Sequence, residues 1–530
     1  MLRTGHLIRP RSFVSLPCID TTIRALAAIR EFRARTMTMN EVGYGTRISE
    51  LAALRGGAIA VTCGDVHTSW ERLDGAANAT ARLHAERGVR RGAIVSIALP
   101  NGIPLLVHCI AAWKIGAVPN PLSPRLPEPE WIEILERARP ALVVTDATPR
   151  TCGWPRLVDG SESRADESPH PDVVAPHERA LASGGSTGRP KLIVVARPAA
   201  FADGDVSVLA PHGSVLIPGP LCHAAPFGSA TQALLAGVHT VLMPRFDASE
   251  CLALIERHRI EQVLFVPTMM HRIWRLPESE RAARDLSSLR VVFTGGAPCP
   301  QWLMRAWIDW LGADVMHELY GPSERIGGTH ITGREWLDHP GSVGRATSAA
   351  AIRILNPDTL AELPTGAIGE VFMMPREGPG STYRYIGADS RATADGWESV
   401  GDMGYLDTDG YLYLTDRRTD MILCGGRNIY PAQIEAAIES FPGVVSSAVI
   451  GLPDEDLGSR IHAIIQAQRL DEDALRAHLA AHIAPYAIPH SFEVVDTALR
   501  DDAGKVRRFQ LREERLPRPL VATERKDATP

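Results

Sequence analysis

Apolar and polar positions along the chain alternate between short and long runs. The run 93–99 is short, mostly apolar and ends at Pro100, as a buried strand does. Residues 103–115 are apolar over a helical length, and 141–145 return to a strand-like run. From about Ile48 to Asp146 this alternation predicts βαβ units around a parallel sheet. The theme repeats at 214–217, 240–243, 263–266 and 290–294, which read as buried strands separated by helical stretches such as 249–258 and 301–311. Between the two regions, residues 147–179 are rich in Pro, Ser, Asp and Arg and predict a surface connection.

Residues 340–415 change character. Glycine, proline and alternating β-branched or aromatic positions, at 370–374 and 411–415, predict an antiparallel, barrel-like unit. After Asp416 come two short strands, a helix beginning after Pro431, a strand at 446–450 and a helix over 472–483, a small α+β domain of ordinary size. The predicted class is therefore α/β: a large N-terminal domain of two βαβ-type subdomains and a β-barrel-like subdomain, followed by a small α+β C-terminal domain. The expected divisions are an extension over 1–38, a large domain over 39–417, a small domain over 418–515 and a disordered tail over 516–530. In the extension no acid precedes Asp20, and Arg3, Arg9 and Arg11 sit among apolar and hydroxyl residues. That is a weak match to a targeting segment, and an upstream-extended start with Met37 or Met39 opening the folded chain accounts for it equally well.

Composition narrows the classes. At 530 residues the chain exceeds one core, and 45% hydrophobic with 22% charged residues excludes a disordered or fibrous protein. No apolar run approaches the roughly 20 residues that span a bilayer, so an integral membrane protein is not expected. A net charge of −6 lacks the basic excess of a nucleic-acid binder. The 8 cysteines form no Cys-x-x-Cys, which points away from a disulfide framework or zinc cluster and toward a reducing, cytoplasmic home. One count stands out: the only lysines are Lys114, Lys191, Lys505 and Lys526. A chain that otherwise uses arginine keeps lysine where a compact ammonium on a flexible stem is wanted.

The segment Ser183-Gly184-Gly185-Ser186-Thr187-Gly188-Arg189-Pro190-Lys191 follows a short apolar lead and precedes the apolar run 192–195. Its glycines permit close backbone approach, its hydroxyls add donors and Lys191 closes it with a point charge, so it suits polyphosphate oxygens. The spacing is not that of a P-loop NTPase. This segment resembles the phosphate loop of adenylate-forming enzymes, which include acyl- and aryl-CoA synthetases, peptide-synthetase adenylation domains and firefly-type luciferases. Further segments resemble the family in order: Tyr320-Gly321-Pro322-Ser323-Glu324, Gly401-Asp402 with Gly404-Tyr405, Asp416-Arg417-Arg418-Thr419-Asp420, the stretch from Gly425 and Gly426 to Pro431, and Gly504-Lys505.

The resemblance, covering about Ile48 to Arg512, implies roles. ATP and AMP would be held by Ser183, Gly184, Gly185, Ser186, Thr187, Gly188 and Lys191, by Gly296, Ala297 and Pro298 against adenine, by Tyr320, Gly321 and Ser323, and by Asp402 and Arg417 at the ribose. Tyr320 has a packing alternative as a core tyrosine. Glu324 would hold magnesium, which favours one or two carboxylates plus phosphate oxygens. Lys505, Lys191 and His223 would be catalytic, with Lys505 the mobile lysine that meets the carboxylate and bridging oxygen; on local sequence alone Lys505 is a solvated tail lysine and His223 a structural histidine. His223, Ala224, Ala225, Gly228, Gly327 and Gly328 would line the acyl pocket. Gly425 and Gly426 would line the coenzyme A passage, a plain turn being the alternative. Thr419 stands where relatives carry the hinge acid or lysine, Leu499 replaces a usual proline, and Asp501 and Asp502 bring carboxylates close to Lys505.

The implied reaction is that of an acyl-CoA ligase using ATP, magnesium and coenzyme A. Its other partner is a carboxylic acid, and small pocket linings suggest a bulky apolar one: terpenoid, steroid-like, long-chain or aryl. No nucleic-acid partner is expected, and a homodimer is compatible with the resemblance. An acyl-carrier-protein acceptor and a non-catalytic nucleotide-binding relative are the alternatives.

Overall fold

The computed structural model describes residues 41–146, 153–160, 166–184, 190–202, 211, 213–501 and 504–516. The strands Ile59–Cys63, Thr240–Leu242, Val215–Ile217, Gln262–Phe265, Val291–Gly295 and Met316–Tyr320 lie side by side in that order and run parallel. Antiparallel strands close both edges, Val66–Ser69 at one and Thr329–Thr332 with Arg345–Ala346 at the other. A second sheet holds Val118–Pro121, Ile94–Ala98, Leu142–Thr145 and Arg156–Val158, all parallel. These strands are near-continuous apolar runs because helices cover a parallel sheet on both faces.

Helix starts follow local chemistry. Asp247 accepts from the Glu250 N–H, Ser69 from that of Arg72, and Thr332 and Glu335 form a reciprocal capping box. Helix Ile103–Lys114 ends on a lysine that is not free: Lys114 Nζ donates to Asp74 Oδ1 at 2.7 Å, Ser49 Oγ at 2.8 Å and the Gly45 carbonyl at 3.3 Å. This buried ammonium ties helices Tyr44–Arg55 and Trp70–Glu86 to its own. One of the scarce lysines therefore serves packing.

The expected surface connection over 147–179 contains the strand Arg156–Val158, which pairs in parallel with Leu142–Thr145. Three residues with one buried side chain, Leu157, are too few to register as a period. The barrel-like unit is a six-stranded antiparallel sheet built on Gly369–Pro375, Asp402–Leu406 and Leu412–Arg417. After Arg417 the chain builds its own core around Ile434, Ile438, Ile461 and Leu475. Here the strand predicted at 446–450 runs on to Asp454 and returns as Gly458–Gln466, a strand the pattern did not reveal. Ser491–Val495 then adds in parallel.

Candidate functional site

Ser183 and Gly184 end the strand Ala180–Gly184 and pair with Lys191 and Pro190 at the start of Pro190–Val195. A β-hairpin thus closes the glycine-rich segment, and Gly185, Ser186, Thr187, Gly188 and Arg189 lie outside the described residues. On the far side of Pro190–Val195 runs Tyr383–Ile386, with Tyr385 opposite Ile193. That pairing creates a contact absent from any motif. Tyr385 donates its hydroxyl to Glu324 Oε1, and its ring lies 3.8 Å from Lys191 Nζ. Lys191 Nζ itself donates to Glu324 Oε1 at 3.3 Å. Partial burial pushes the Lys191 pKa down against the pull of Glu324, and burial with Glu324 pushes the Tyr385 hydroxyl up. Glu324 is buried, and its hard oxygens suit a magnesium ion that takes its remaining ligands from phosphate and water. No cluster of three or more metal-ligating side chains occurs among the described residues.

Strand register assembles a second cluster. Asp402 lies opposite Arg417 on neighbouring antiparallel strands. Its Oδ2 accepts from the Tyr320 hydroxyl at 2.7 Å and its Oδ1 from Arg417 Nε at 3.3 Å. Each carboxylate oxygen keeps a lone pair, so Asp402 is held in place and still able to accept from a diol. Gly321 packs within 3.2 Å of the Gly327 carbonyl, measured from where its Cβ would stand, and Ser323 is half-buried in the turn before Glu324. Across the cleft, Gly295 has no room for a side chain because the Leu319 carbonyl would lie 2.5 Å from its Cβ. Gly296 adopts φ +80° and turns the chain into Ala297 and Pro298, leaving a small, partly exposed backbone shelf.

The small domain reaches this cleft through the turn that carries Lys505. Gly504, at φ +76°, lies flush against Thr268 and Val266 of the large domain, where an added Cβ would stand 2.8 Å from Thr268 Oγ1. The turn is tightly built: Gly504 N–H donates to the Asp501 carbonyl at 2.8 Å and Lys505 N–H to Asp501 Oδ1 at 2.9 Å. Asp501 therefore shapes the backbone that presents Lys505. Asp502 lies outside the described residues, and Leu499 is buried in a small apolar cluster. Lys505 is open to the cleft but crowded by both domains. Its pKa is lowered, first by partial desolvation and then by Arg417, with Asp501, Glu324 and Cys222 pulling the other way.

Arg500 anchors the turn from behind. It donates Nη1 to the Gly504 carbonyl at 3.2 Å, Nε to Ser446 Oγ at 3.1 Å and Nη2 to Glu439 at 3.0 Å. Neither Tyr385 nor Arg500 carries a sequence signal of its own, because each acts through a partner distant along the chain. Glu318 is likewise not marked in the sequence. It is 4% exposed on the strand leading to Tyr320, and burial pushes its pKa up to about 8.

The remaining candidates are placed as follows. His223 precedes helix Ala224–Ala236, with Ala224 and Ala225 half-buried in its first turn and Gly228 one turn on. Gly327 and Gly328 are small for a packing reason: side chains there would strike Ala350 and Met373, and the Tyr320 carbonyl, at 2.8 Å. Gly425 and Gly426 both have positive φ between Ile422–Cys424 and Arg427–Ile429, which is the two-residue hairpin turn that demands glycine-like residues. Their smallness is thus accounted for by the turn. Thr419 is exposed just after the last strand of the large domain, in a turn where Asp420 N–H donates to the Arg417 carbonyl at 3.0 Å.

The chain matches the AMP-binding enzyme family over residues 48–383 and the AMP-binding enzyme C-terminal domain over 433–505. It is 32% identical over 483 residues to a feruloyl-CoA synthase of Amycolatopsis sp, covering 87% of this chain and 95% of that protein. It is 28% identical over 508 residues to a long-chain-fatty-acid–CoA ligase of Mycobacterium tuberculosis, covering 90% and 99%. The Bacillus subtilis o-succinylbenzoate–CoA synthetase solved with its acyl-adenylate intermediate shares the fold, with a TM-score of 0.74 and 24% identity over 89% of this chain and 98% of that one. On these grounds the chain belongs to the AMP-binding enzyme family, the adenylate-forming superfamily, in the branch that holds the acyl-CoA synthetases.

Proposed function

We propose that this protein is an acyl-CoA ligase working in two half-reactions. A substrate carboxylate oxygen attacks the α-phosphorus of ATP, forming an acyl-adenylate and expelling pyrophosphate. The coenzyme A thiol then attacks the acyl carbon, the thiol proton is lost, and AMP leaves. The observation that carries this reading is the delivery of Lys505 by a small-domain turn into the cleft that holds Arg417 and Glu324.

The first step brings two anions together, so its barrier is largely charge repulsion, and fixed positive groups lower it. Lys505 supplies an ammonium for the carboxylate and bridging oxygen, and Lys191 with the segment 183–188 cradles the phosphates. Tyr320, Asp402, Arg417 and the 296–298 shelf hold the nucleoside. Glu324 would hold magnesium, which supplies charge neutralisation at the phosphates when bound. Rotation about the segment around Thr419 then withdraws Lys505 and brings Gly425 and Gly426 to the thiol passage, so one site serves two chemistries.

The acid is proposed to be bulky, with a largely apolar body, because Ala224, Ala225 and Gly228 put small residues along the acyl side. The named activities of the relatives, on a long-chain fatty acid and on a feruloyl group, support that choice. We place the reaction in the cytoplasm, where ATP and coenzyme A are at hand; no described helix is long and apolar enough to cross a membrane. The test is pyrophosphate release across a panel of carboxylic acids, with coenzyme A, with a carrier-protein thiol and with neither. Thioester formation only on the carrier protein would replace the acceptor. ATP binding without pyrophosphate release from any acid would make the chain a non-catalytic relative. Equal turnover of acetate and bulky acids would refute the substrate class.

A further inference from the structure

One asparagine ties the two sheets of the βαβ subdomains together beside the cleft. Asn101 stands just past the carboxyl end of strand Ile94–Ala98, in the sheet that also holds Val118–Pro121 and Leu142–Thr145. Its side chain crosses to the other sheet. Asn101 Nδ2 donates to the Met243 carbonyl at 2.8 Å and to the Gly219 carbonyl at 3.2 Å, and its Oδ1 accepts from the Leu221 N–H at 2.8 Å. Met243 directly follows Thr240–Leu242, and Gly219 lies just past Val215–Ile217. The carboxyl ends of three strands are thus joined through one amide, at the end of an α/β sheet where ligands bind. Both N–H groups and an oxygen lone pair are used, so the amide fits in one orientation only.

The turn that Asn101 holds leads straight into His223. Leu221 is fully buried, and a buried N–H in a turn needs a partner from outside it. His223 N–H donates to the Pro220 carbonyl at 3.1 Å, and the His223 carbonyl accepts from the Phe227 N–H at 3.1 Å where helix Ala224–Ala236 begins. Gly219 is folded flush against that helix, since an added Cβ would stand 2.7 Å from Pro226 Cγ. A shift at Gly219 or Leu221 therefore carries through to Cys222 and His223. Cys222 lies near enough to Lys505 for its thiol to bear on the ammonium, so this turn borders the space that receives Lys505.

We propose that Asn101 is a positioning residue for adenylation, holding the turn 219–223 so that His223 stays aligned with the substrate carboxylate beside Lys505. This rests on the ligase reading and adds to it a residue that acts through the backbone of the turn. Loss of the amide leaves one N–H and two carbonyls without their partner, and the turn relaxes. A misplacement of about 1 Å at reacting groups is enough to cost about a hundredfold in rate.

The experiment is a double-mutant cycle between Asn101→Ala and His223→Ala, read as acid-dependent pyrophosphate release. Asn101→Ala should lower kcat by about ten- to a hundredfold, while ATP affinity titrated without acid stays within about twofold. In the His223→Ala background the same change should cost about twofold or less, because the group being positioned is gone. Asn101→Asp keeps the shape and the acceptor for Leu221 but turns an oxygen toward the Gly219 and Met243 carbonyls, so it should lose as much as the alanine variant and answers for it if that one fails to fold. Asn78→Ala, which removes a buried amide from the packing around Asp74, should lower stability and leave kcat near the parent's. Full additivity with His223→Ala would overturn the proposal, as would parent-like turnover by Asn101→Asp or an equal loss in Asn78→Ala. No pyrophosphate release by the parent with any acid would remove the ligase reading and this proposal with it, whereas additive losses in an active parent remove the role of Asn101 alone.

Discussion

Tyr385→Phe removes one hydroxyl and nothing else from the phosphate side of the cleft. The ring stays, so its 3.8 Å contact with Lys191 Nζ stays, and that contact is worth about 0.5–2 kcal/mol. What is lost is the hydrogen bond to Glu324 Oε1, one of two that orient this carboxylate, the other coming from Lys191 at 3.3 Å. A hydrogen bond to a charged group contributes about 1.5–3 kcal/mol, and partial opening to solvent selects the lower end. About 1.5 kcal/mol corresponds to roughly a tenfold loss. Pyrophosphate release measured against magnesium at fixed ATP should show that loss in the apparent affinity for Mg-ATP. Thioester formation from supplied acyl-adenylate should change little. Tyr385→Leu, which also removes the ring, should be worse by the cation–ring contribution. If Tyr385→Phe stays within about twofold of the parent, or if both half-reactions fall together, Glu324 is not oriented by Tyr385 in the adenylation step.

Lys505→Ala should slow adenylation about a hundred- to a thousandfold, the range for removing one charge-stabilising donor, and affect the thioester step far less; comparable losses would refute its role. Because the Lys505 pKa is lowered, its ammonium is lost at a lower pH than an ordinary lysine's. The adenylation rate should therefore fall on the alkaline side below the usual lysine range, and the alanine variant should lack that limb. Arg500→Lys cannot reproduce the contacts to Gly504, Ser446 and Glu439, so adenylation should slow by about tenfold while adenylate-to-thioester transfer holds. Equal slowing of both steps would reduce Arg500 to general stability.

Glu318 gives a prediction for stability. Its folded pKa of about 8 exceeds the unfolded value of 4.5, so the native state holds the proton more tightly. Its contribution is full below the unfolded value and is lost as pH rises toward about 8. Glu318→Gln removes this dependence and should raise the thermal midpoint at alkaline pH relative to the parent, with a smaller difference in weak acid. Parallel pH profiles for the two proteins would refute a neutral buried Glu318.

Much of the architecture is written in local pattern. Helix Gln301–Leu311 follows from its period, and the strands of the main sheet from short continuous apolar runs bounded by turn or polar residues. The glycine-rich segment stands out by its own glycines, hydroxyls and closing lysine, whereas Glu324, Asp402 and Lys505 are picked out only through the resemblance to adenylate-forming enzymes. Strand Arg156–Val158 is not legible, because only Leu157 of its three side chains is buried, and Gly458–Gln466 becomes visible only as the return leg of its hairpin. The meaning of small residues also needs the third dimension. Gly327 and Gly328 are required by packing and Gly425 and Gly426 by a turn, whereas at Gly228 an added Cβ would meet only Arg179 Nη1, at 3.9 Å.

The sequence by itself determined the alternation of strands and helices, the order of the glycine-rich, Tyr320–Glu324, Gly401–Asp402 and Gly504–Lys505 segments, and the scarcity of lysine. Tertiary structure decided which side chains meet. Tyr385 faces Glu324 because one hairpin strand pairs with another far along the chain, Arg500 reaches Ser446 and Glu439 from far along the chain, and Lys114 proves to be a packing lysine. Periodicity reports which face of an element is buried; it carries no information about what that face is buried against. Partners, orphaned donors and shifted protons arise only when distant segments exclude water together.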